Sequence, residues 1–244
     1  MSDIWLLAAL IFGAALLYSS VGHAGASGYL AAMALFGLET SQMRPAALVL
    51  NILVATIGTI RFARAGLVNW SLLGPFSLGA IPMAWLGGFL TLPTSVYRPI
   101  VGGILLVAAV RIVVPSSADR PGTIRRPPVM VAVSWGAAIG LLSGLTGTGG
   151  GIFLSPLLLL MRWAETKETS GVAAAFILAN SLAGLVGLLL HQPTLPSGIE
   201  LWAVAAACGG WIGSALGSRR LGNPTLRKLL AVVLVIAGGK MILA

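Results

Sequence analysis

Charge is what this sequence lacks most. Only 9 % of its 244 residues are Asp, Glu, Lys or Arg, where soluble proteins carry roughly 25 %. A water-soluble domain is excluded at that level, because too few groups remain to hydrate a surface. Cysteine occurs once, as Cys208 inside the apolar run from Ala203 to Ile212. That rules out a disulfide framework or a thiolate metal site and leaves no basis for redox chemistry. No phosphate-binding loop, zinc-ligand spacing or dinucleotide fingerprint occurs, so no cofactor is expected. No basic stretch precedes the first apolar run, which begins at Ile4 behind Asp3. A cleaved signal peptide is therefore not expected, and the first helix should be retained.

What the sequence has in abundance is apolar length. Hydrophobic residues make up 57 % of the chain, in runs near residues 4–21, 28–37, 44–62, 70–90, 96–114, 129–146, 151–162, 171–190, 199–217 and 226–243. Most of these approach the roughly 20 residues that cross a hydrocarbon core as helix. The expectation is an all-α, polytopic membrane protein of ten helical segments, with the lipid bilayer as its solvent.

The segments fall into two halves whose features answer each other in order. Gly22, His23, Gly25, then Glu39-Thr40, Asn51, Gly58, Trp70, Gly79 and Gly87 are matched by Gly147, Thr148, Gly150, then Glu165-Thr166, Asn180, Gly187, Trp202, Gly209 and Gly217. Ordered matches at similar spacing favour duplication over chance likeness of glycine-rich helices. The expected division is a first repeat over 1–114, a Pro-rich cytoplasmic linker over 115–128 and a second repeat over 129–244. Five segments per half turn the second repeat upside down. The formal charge of +9 would suggest nucleic acid in a soluble protein, but here Lys and Arg sit between apolar runs and set orientation, so no nucleic-acid partner is expected. Twelve of the 15 lie on one side, Arg61, Arg64, Arg125, Arg126 and Arg162 among them, against Arg44, Arg98 and Lys240 on the other. The positive-inside rule puts the twelve in the cytoplasm and both termini outside, in a multi-pass protein of the cell inner membrane. Secondary transporters share this inverted plan.

Segments 28–37 and 151–162 are too short to cross, and each follows a glycine-rich turn. A pair of re-entrant half-helix hairpins resolves this, since irregular backbone inside a membrane must line protein or a wet cavity. Both half-helices would then aim their N-terminal N–H groups at a shared centre, and such a centre wants an anion. Gly22, Gly25, Gly28, Gly147, Gly149, Gly150 and Gly151 would let backbone amides approach the ligand, and Ser27 and Thr148 could add hydroxyl donors. Close helix packing also enriches glycine in membranes, and that reading stands beside the first. Asn51 and Asn180, deep within their spans, either cap freed backbone groups or donate to the ligand. His23 is the one ionisable group near the centre, either satisfied by backbone carbonyls or available for proton coupling. The seven tryptophans fit interfacial anchoring or packing better than a cofactor box.

The motif GLTGTGGGIFLSP, with Gly144, Gly147, Gly149, Gly150, Gly151 and Pro156, resembles that of the TauE/SafE sulfite exporter family, also called the 4-toluene sulfonate uptake permease family. VGHAGASGYLA, with Gly22, Gly25 and Gly28, resembles its degenerate first copy, and the likeness runs over nearly the whole chain. The resemblance implies movement of sulfite, organosulfonates such as sulfoacetate, or other small sulfur-containing anions across the cytoplasmic membrane, with export as the expected direction. Ala24 and Ala26 depart from Gly149 and Gly151 of the second copy, which leaves the substrate open. Two other readings remain at this stage. Gly25-Ala26-Ser27-Gly28 fits the GxSG pattern of rhomboid intramembrane proteases, which need a histidine within reach of the serine, and an anion channel would need no closed site. A homodimer is also left open.

Overall fold

The computed structural model describes residues 2–113, 124–191, 193–217 and 224–243, and every regular element among them is an α-helix. In chain order they are α1 (Ser2–Ser19), α2 (Ala26–Leu35), α3 (Thr40–Arg64), α4 (Trp70–Phe89), α5 (Thr94–Val113), α6 (Val129–Thr146), α7 (Gly151–Leu160), α8 (Thr166–Leu189), α9 (Ile199–Gly217) and α10 (Pro224–Leu243). Helices α3, α4, α6, α8 and α9 are long and apolar enough to cross a membrane. Large apolar side chains such as Leu78, Met130 and Val186 stand exposed on their outer faces, which suits lipid and not water. The chain is a multi-pass membrane protein.

The two short segments are helices of ten residues each, about 15 Å long at about 1.5 Å per residue. They begin where the glycine turns end, α2 two residues earlier than its apolar run and α7 at Gly151 as expected. Helices α3 and α8 start before their apolar runs, because the polar turns at Thr40 and Thr166 continue the helix outward from the hydrocarbon. Of the linker expected over 115–128, residues 124–128 are described and carry no helix. The remainder, Arg120 included, lies outside the described residues, as do Arg219 and Arg220.

Glycine sets how closely the helices approach. A methyl group added at Gly136, Gly140 or Gly144 of α6 would collide with the carbonyl oxygens of Phe76, Ala80 and Ala84 on α4. The two series of numbers rise together, so α4 and α6 are parallel neighbours in backbone contact. Gly209, Gly213 and Gly217 of α9 meet Phe12 and Leu16 of α1 and Ser20 just past its end in the same way. Between α8 and α4 the order reverses, with Gly187 against Trp85 and Gly88 against Gly184, so that pair is antiparallel. Without a hydrophobic drive between helices in lipid, such contact and its dispersion energy hold the bundle together.

One buried charge helps to fix the arrangement. Arg44 of α3 is 6 % exposed, and its guanidinium donates to three carbonyls at the end of α4: Gly87, Gly88 at 2.7 Å and Leu90 at 2.9 Å. These are the orphan acceptors of a helix C-terminus, where the macrodipole is negative. Lys240 does the same for α2, donating to the Leu35 carbonyl at 3.0 Å. Five tryptophans are exposed as anchors would be: Trp5, Trp70, Trp85, Trp135 and Trp211. Trp202 differs, buried among α1 and α9 residues because α9 packs its first turns inward.

Gly140→Ala should lower the thermal midpoint of the detergent-purified protein, at a cost of about 1–3 kcal/mol for forced separation of α4 and α6. Gly13→Ala is the control, since nothing lies within 4 Å of a methyl group there. An equal effect of the two changes would show that backbone contact at Gly140 does not hold the bundle.

Candidate functional site

The two glycine turns meet through a histidine. The chain leaves α1 at Ser19, and Gly25, with φ of +107°, reverses it into α2. A side chain is strained at that angle. His23 reaches out of this turn, with Nε2 3.0 Å from the Gly151 carbonyl of the other turn and Nδ1 3.3 Å from the Val21 carbonyl. The hydroxyl groups at the first turn are held by protein. Ser27 donates its hydroxyl to the Tyr18 oxygen at 2.6 Å, and Tyr29 donates to the Ala24 carbonyl. Gly22 lies against the backbone of Ser170 on α8, and Gly28 against Ala14 on α1. These two glycines serve close helix approach.

The second turn is built differently. Gly147, Gly149 and Gly150 all have positive φ, at 79°, 76° and 82°, and Gly151 follows as the first residue of α7. A left-handed residue followed by a right-handed one turns successive N–H groups toward one side, making an anion-binding concavity. The amides of Thr148, Gly149, Gly150, Gly151 and Ile152 meet no acceptor among the described residues. Bonding resumes at Phe153 and Leu154, both on the Gly150 carbonyl at 3.1 Å. The amides of Ala24 to Gly28 are likewise without acceptors at the start of α2.

Around the second turn stand polar side chains with unpaired atoms. A Cβ at Gly149 would fall 2.8 Å from Asn51 Nδ2 and 3.2 Å from Ser181 Oγ, and one at Gly150 would fall 3.2 Å from Asn180 Nδ2. Asn51, Asn180 and Ser181 are each 0 % exposed. Asn51 Nδ2 has a single long bond, 3.4 Å to the Gly147 carbonyl. Asn51 Oδ1, both polar atoms of the Asn180 amide and Ser181 Oγ have no partner. Each such atom costs about 1–3 kcal/mol if left unsatisfied.

The structure thus gathers Asn51, Asn180, Gly147, Gly149 and Gly150 at one place, with Gly151 and His23 at its edge. Thr148 is adjacent, its Oγ1 3.0 Å from Thr146 Oγ1. Ser27, Gly22, Gly25 and Gly28 belong to the first turn. Ser181 was not singled out by sequence reasoning, although it directly follows Asn180. Neither histidine pairs with the Ser27 hydroxyl: His23 faces two carbonyls, and His191 Nε2 lies 2.6 Å from the Phe89 carbonyl. The serine–histidine contact of an intramembrane hydrolase is therefore not formed. The glutamates Glu39, Glu165, Glu168 and Glu200 all lie at helix starts, far along the chain from both turns.

Comparison with known proteins agrees with this architecture. The family model described as sulfite exporter TauE/SafE matches residues 7–241. The chain is 41 % identical over 241 residues to the "Probable membrane transporter protein y4hK" of Sinorhizobium fredii, covering 97 % of each. No solved structure matches it.

Replacing the unpaired amide by an apolar group of similar size should relieve its desolvation penalty. Asn180→Leu is expected to raise ligand-free stability by about 1 kcal/mol or leave it unchanged, read as the thermal midpoint without added anion. A large loss of stability would show that protein or bound water already satisfies the amide.

Proposed function

We propose a function for this chain from the premise that it belongs to the sulfite exporter TauE/SafE family: it is a secondary transporter that exports a small sulfur-containing anion, such as sulfite, sulfoacetate or another organosulfonate. Its family and its relative place it among membrane transporters. The anion site is our reading of the second glycine turn, and one observation carries it: five consecutive amides without acceptors open beside three fully buried polar side chains with unpaired atoms. A helix N-terminus of this kind favours negative charge through its N–H groups and its dipole.

The same reading covers the wider plan. The proposed repeats, 1–114 and 129–244, stand inverted in the inner membrane, with the linker 115–128 in the cytoplasm. Supporting this, the first helix of each half lies parallel to the fourth helix of the other, α1 with α9 and α6 with α4. Each half also holds one ten-residue helix opening on a glycine turn. Transporters with broken helices at a repeat interface bind substrate there. His23 joins the two turns and is our candidate for proton coupling. A neutral imidazole donates from one nitrogen only, whereas both of its nitrogens face carbonyls, so a second proton would find an acceptor in place.

Gly150→Leu should abolish saturable counterflow in proteoliposomes while the protein still inserts, because a side chain there, at a φ of +82°, would press on Ile139, Phe176 and Asn180 and distort the turn. Unchanged half-saturation in that variant would assign the glycines to packing alone.

Affinity for a sulfonate that does not titrate should weaken as pH rises from 5.5 to 8.5 in the wild type and stay level in His23→Gln, since only the imidazolium adds positive charge to the site. Identical profiles would make His23 a structural residue.

A further inference from the structure

Arg61 is held differently from the buried Arg44. It stands in the last turn of α3, and its guanidinium carbon lies 4.2 Å from the centroid of the Trp211 ring on α9. At that distance the positive charge rests on the negative face of the indole, an attraction that grows where water is scarce. The contact consumes no N–H group, so the five donors of the guanidinium remain available. Among the described residues no carboxylate or carbonyl receives any of them. The glutamates stand elsewhere: Glu39, Glu165 and Glu200 lie at helix starts, and Glu168 accepts from Asn69.

The pair sits at the depth of a lipid headgroup. Arg61 precedes Arg64, the last residue of α3, and Trp211 precedes Gly217, the last of α9, which places them about 5 and 9 Å from those helix ends. Trp211 is 60 % exposed, and the neighbouring Ile60, Ile212 and Leu216 are exposed too, a surface that suits acyl chains. The two helices are also in close contact nearby, since a methyl group at Gly210 would fall 2.8 Å from Val54 Cγ1. Both partners are therefore carried on elements fixed against each other. A guanidinium at that depth has little water to bond and needs an acceptor. A phosphodiester supplies two oxygens that match its planar fork.

We infer that Arg61 and Trp211 form a seat for the headgroup of an anionic phospholipid, on the outer face of the bundle between α3 and α9. The phosphodiester accepts from Arg61, the indole holds the guanidinium in place, and the acyl chains lie against Ile60, Ile212 and Leu216. Stacking on Trp211 restricts the long arginine side chain before the lipid arrives, which lowers the entropy lost on binding. A zwitterionic lipid is the poorer occupant, because its own cationic group lies beside its phosphate and is repelled by Arg61.

Native mass spectrometry reads the seat directly, with the full-length protein in neutral detergent and equal amounts of dioleoylphosphatidylglycerol and dioleoylphosphatidylcholine. The protein should retain phosphatidylglycerol about ten-fold more than phosphatidylcholine, the worth of one charge-assisted hydrogen bond. Arg61→Gln should bring that ratio near unity. Arg61→Lys should leave it between these values, since an ammonium keeps the charge but loses the fork. Trp211→Leu should lower it about three-fold by removing the platform. Arg126→Gln removes the same charge from an exposed residue before α6 and should leave the ratio unchanged. If Arg61→Gln does not fold, Arg61→Lys and Trp211→Leu decide. A wild-type ratio near unity overturns the seat, and so does a wild-type ratio kept in the Arg61 and Trp211 variants, which would make the pair a clamp between helices. An equal loss in Arg126→Gln also overturns it, in favour of diffuse attraction to the protein's net charge.

Discussion

A backbone N–H inside hydrocarbon has no water to fall back on, and a membrane protein that leaves one unpaired must wall it off from lipid. In this chain two runs of amides, Ala24 to Gly28 and Thr148 to Ile152, are left open at the starts of ten-residue helices. The remaining architecture can be understood as the enclosure this demands. Helices α3 and α8 carry their amide-bearing asparagines to the second run, while α4 and α6 press together beside it through glycine. Both breaks occur at helix starts, so the groups they expose are donors.

The two turns solve the same local problem with different partners. In the first, Tyr18, Ser27 and Tyr29 form a closed set of hydroxyl bonds, and Gly22 is pressed onto α8. In the second, the Asn180 amide, the Ser181 hydroxyl and Asn51 Oδ1 find no partner, although they are wholly buried. His23 spans the difference, belonging to the first turn by sequence and to the second by its contact with Gly151. The two turns thus differ in their side chains, paired in the first and partly unpaired in the second, while both leave backbone amides without acceptors.

Much of this was legible in the sequence because it depends on local rules. Apolar run length and the glycines before Ala26 and Gly151 are enough to place ten helices and to mark two of them as half-length. That Asn51 and Asn180 could donate to one shared ligand was a reading the sequence offered, but that both lie against the second turn was not legible. It depends on how far along α3 and α8 each lies relative to the turn between α6 and α7, a tertiary quantity. Ser181 escaped for the same reason, since a serine after an asparagine in a helix carries no signal of its own. The glycines at 79, 87, 209 and 217 were visible as repeat markers, but their task, admitting a partner carbonyl, appears only when helices are placed side by side. Arg44 read as one charge in an orientation tally, and only the fold shows it set against the end of α4.

The glycine contacts between α4 and α6 have a mechanical side. Gly136, Gly140 and Gly144 are spaced one helical turn apart, each receiving one carbonyl of α4 as a tooth is received by a notch. A slip of one residue along the axis, about 1.5 Å, would bring side chains where the notches were, and the carbonyls would strike Cβ atoms along the whole pair. The same holds for α1 and α9 at Gly209, Gly213 and Gly217. Each pair is therefore stiff against shear, and a change of shape that preserves these contacts must bend the molecule between the pairs, with each pair travelling as a single beam.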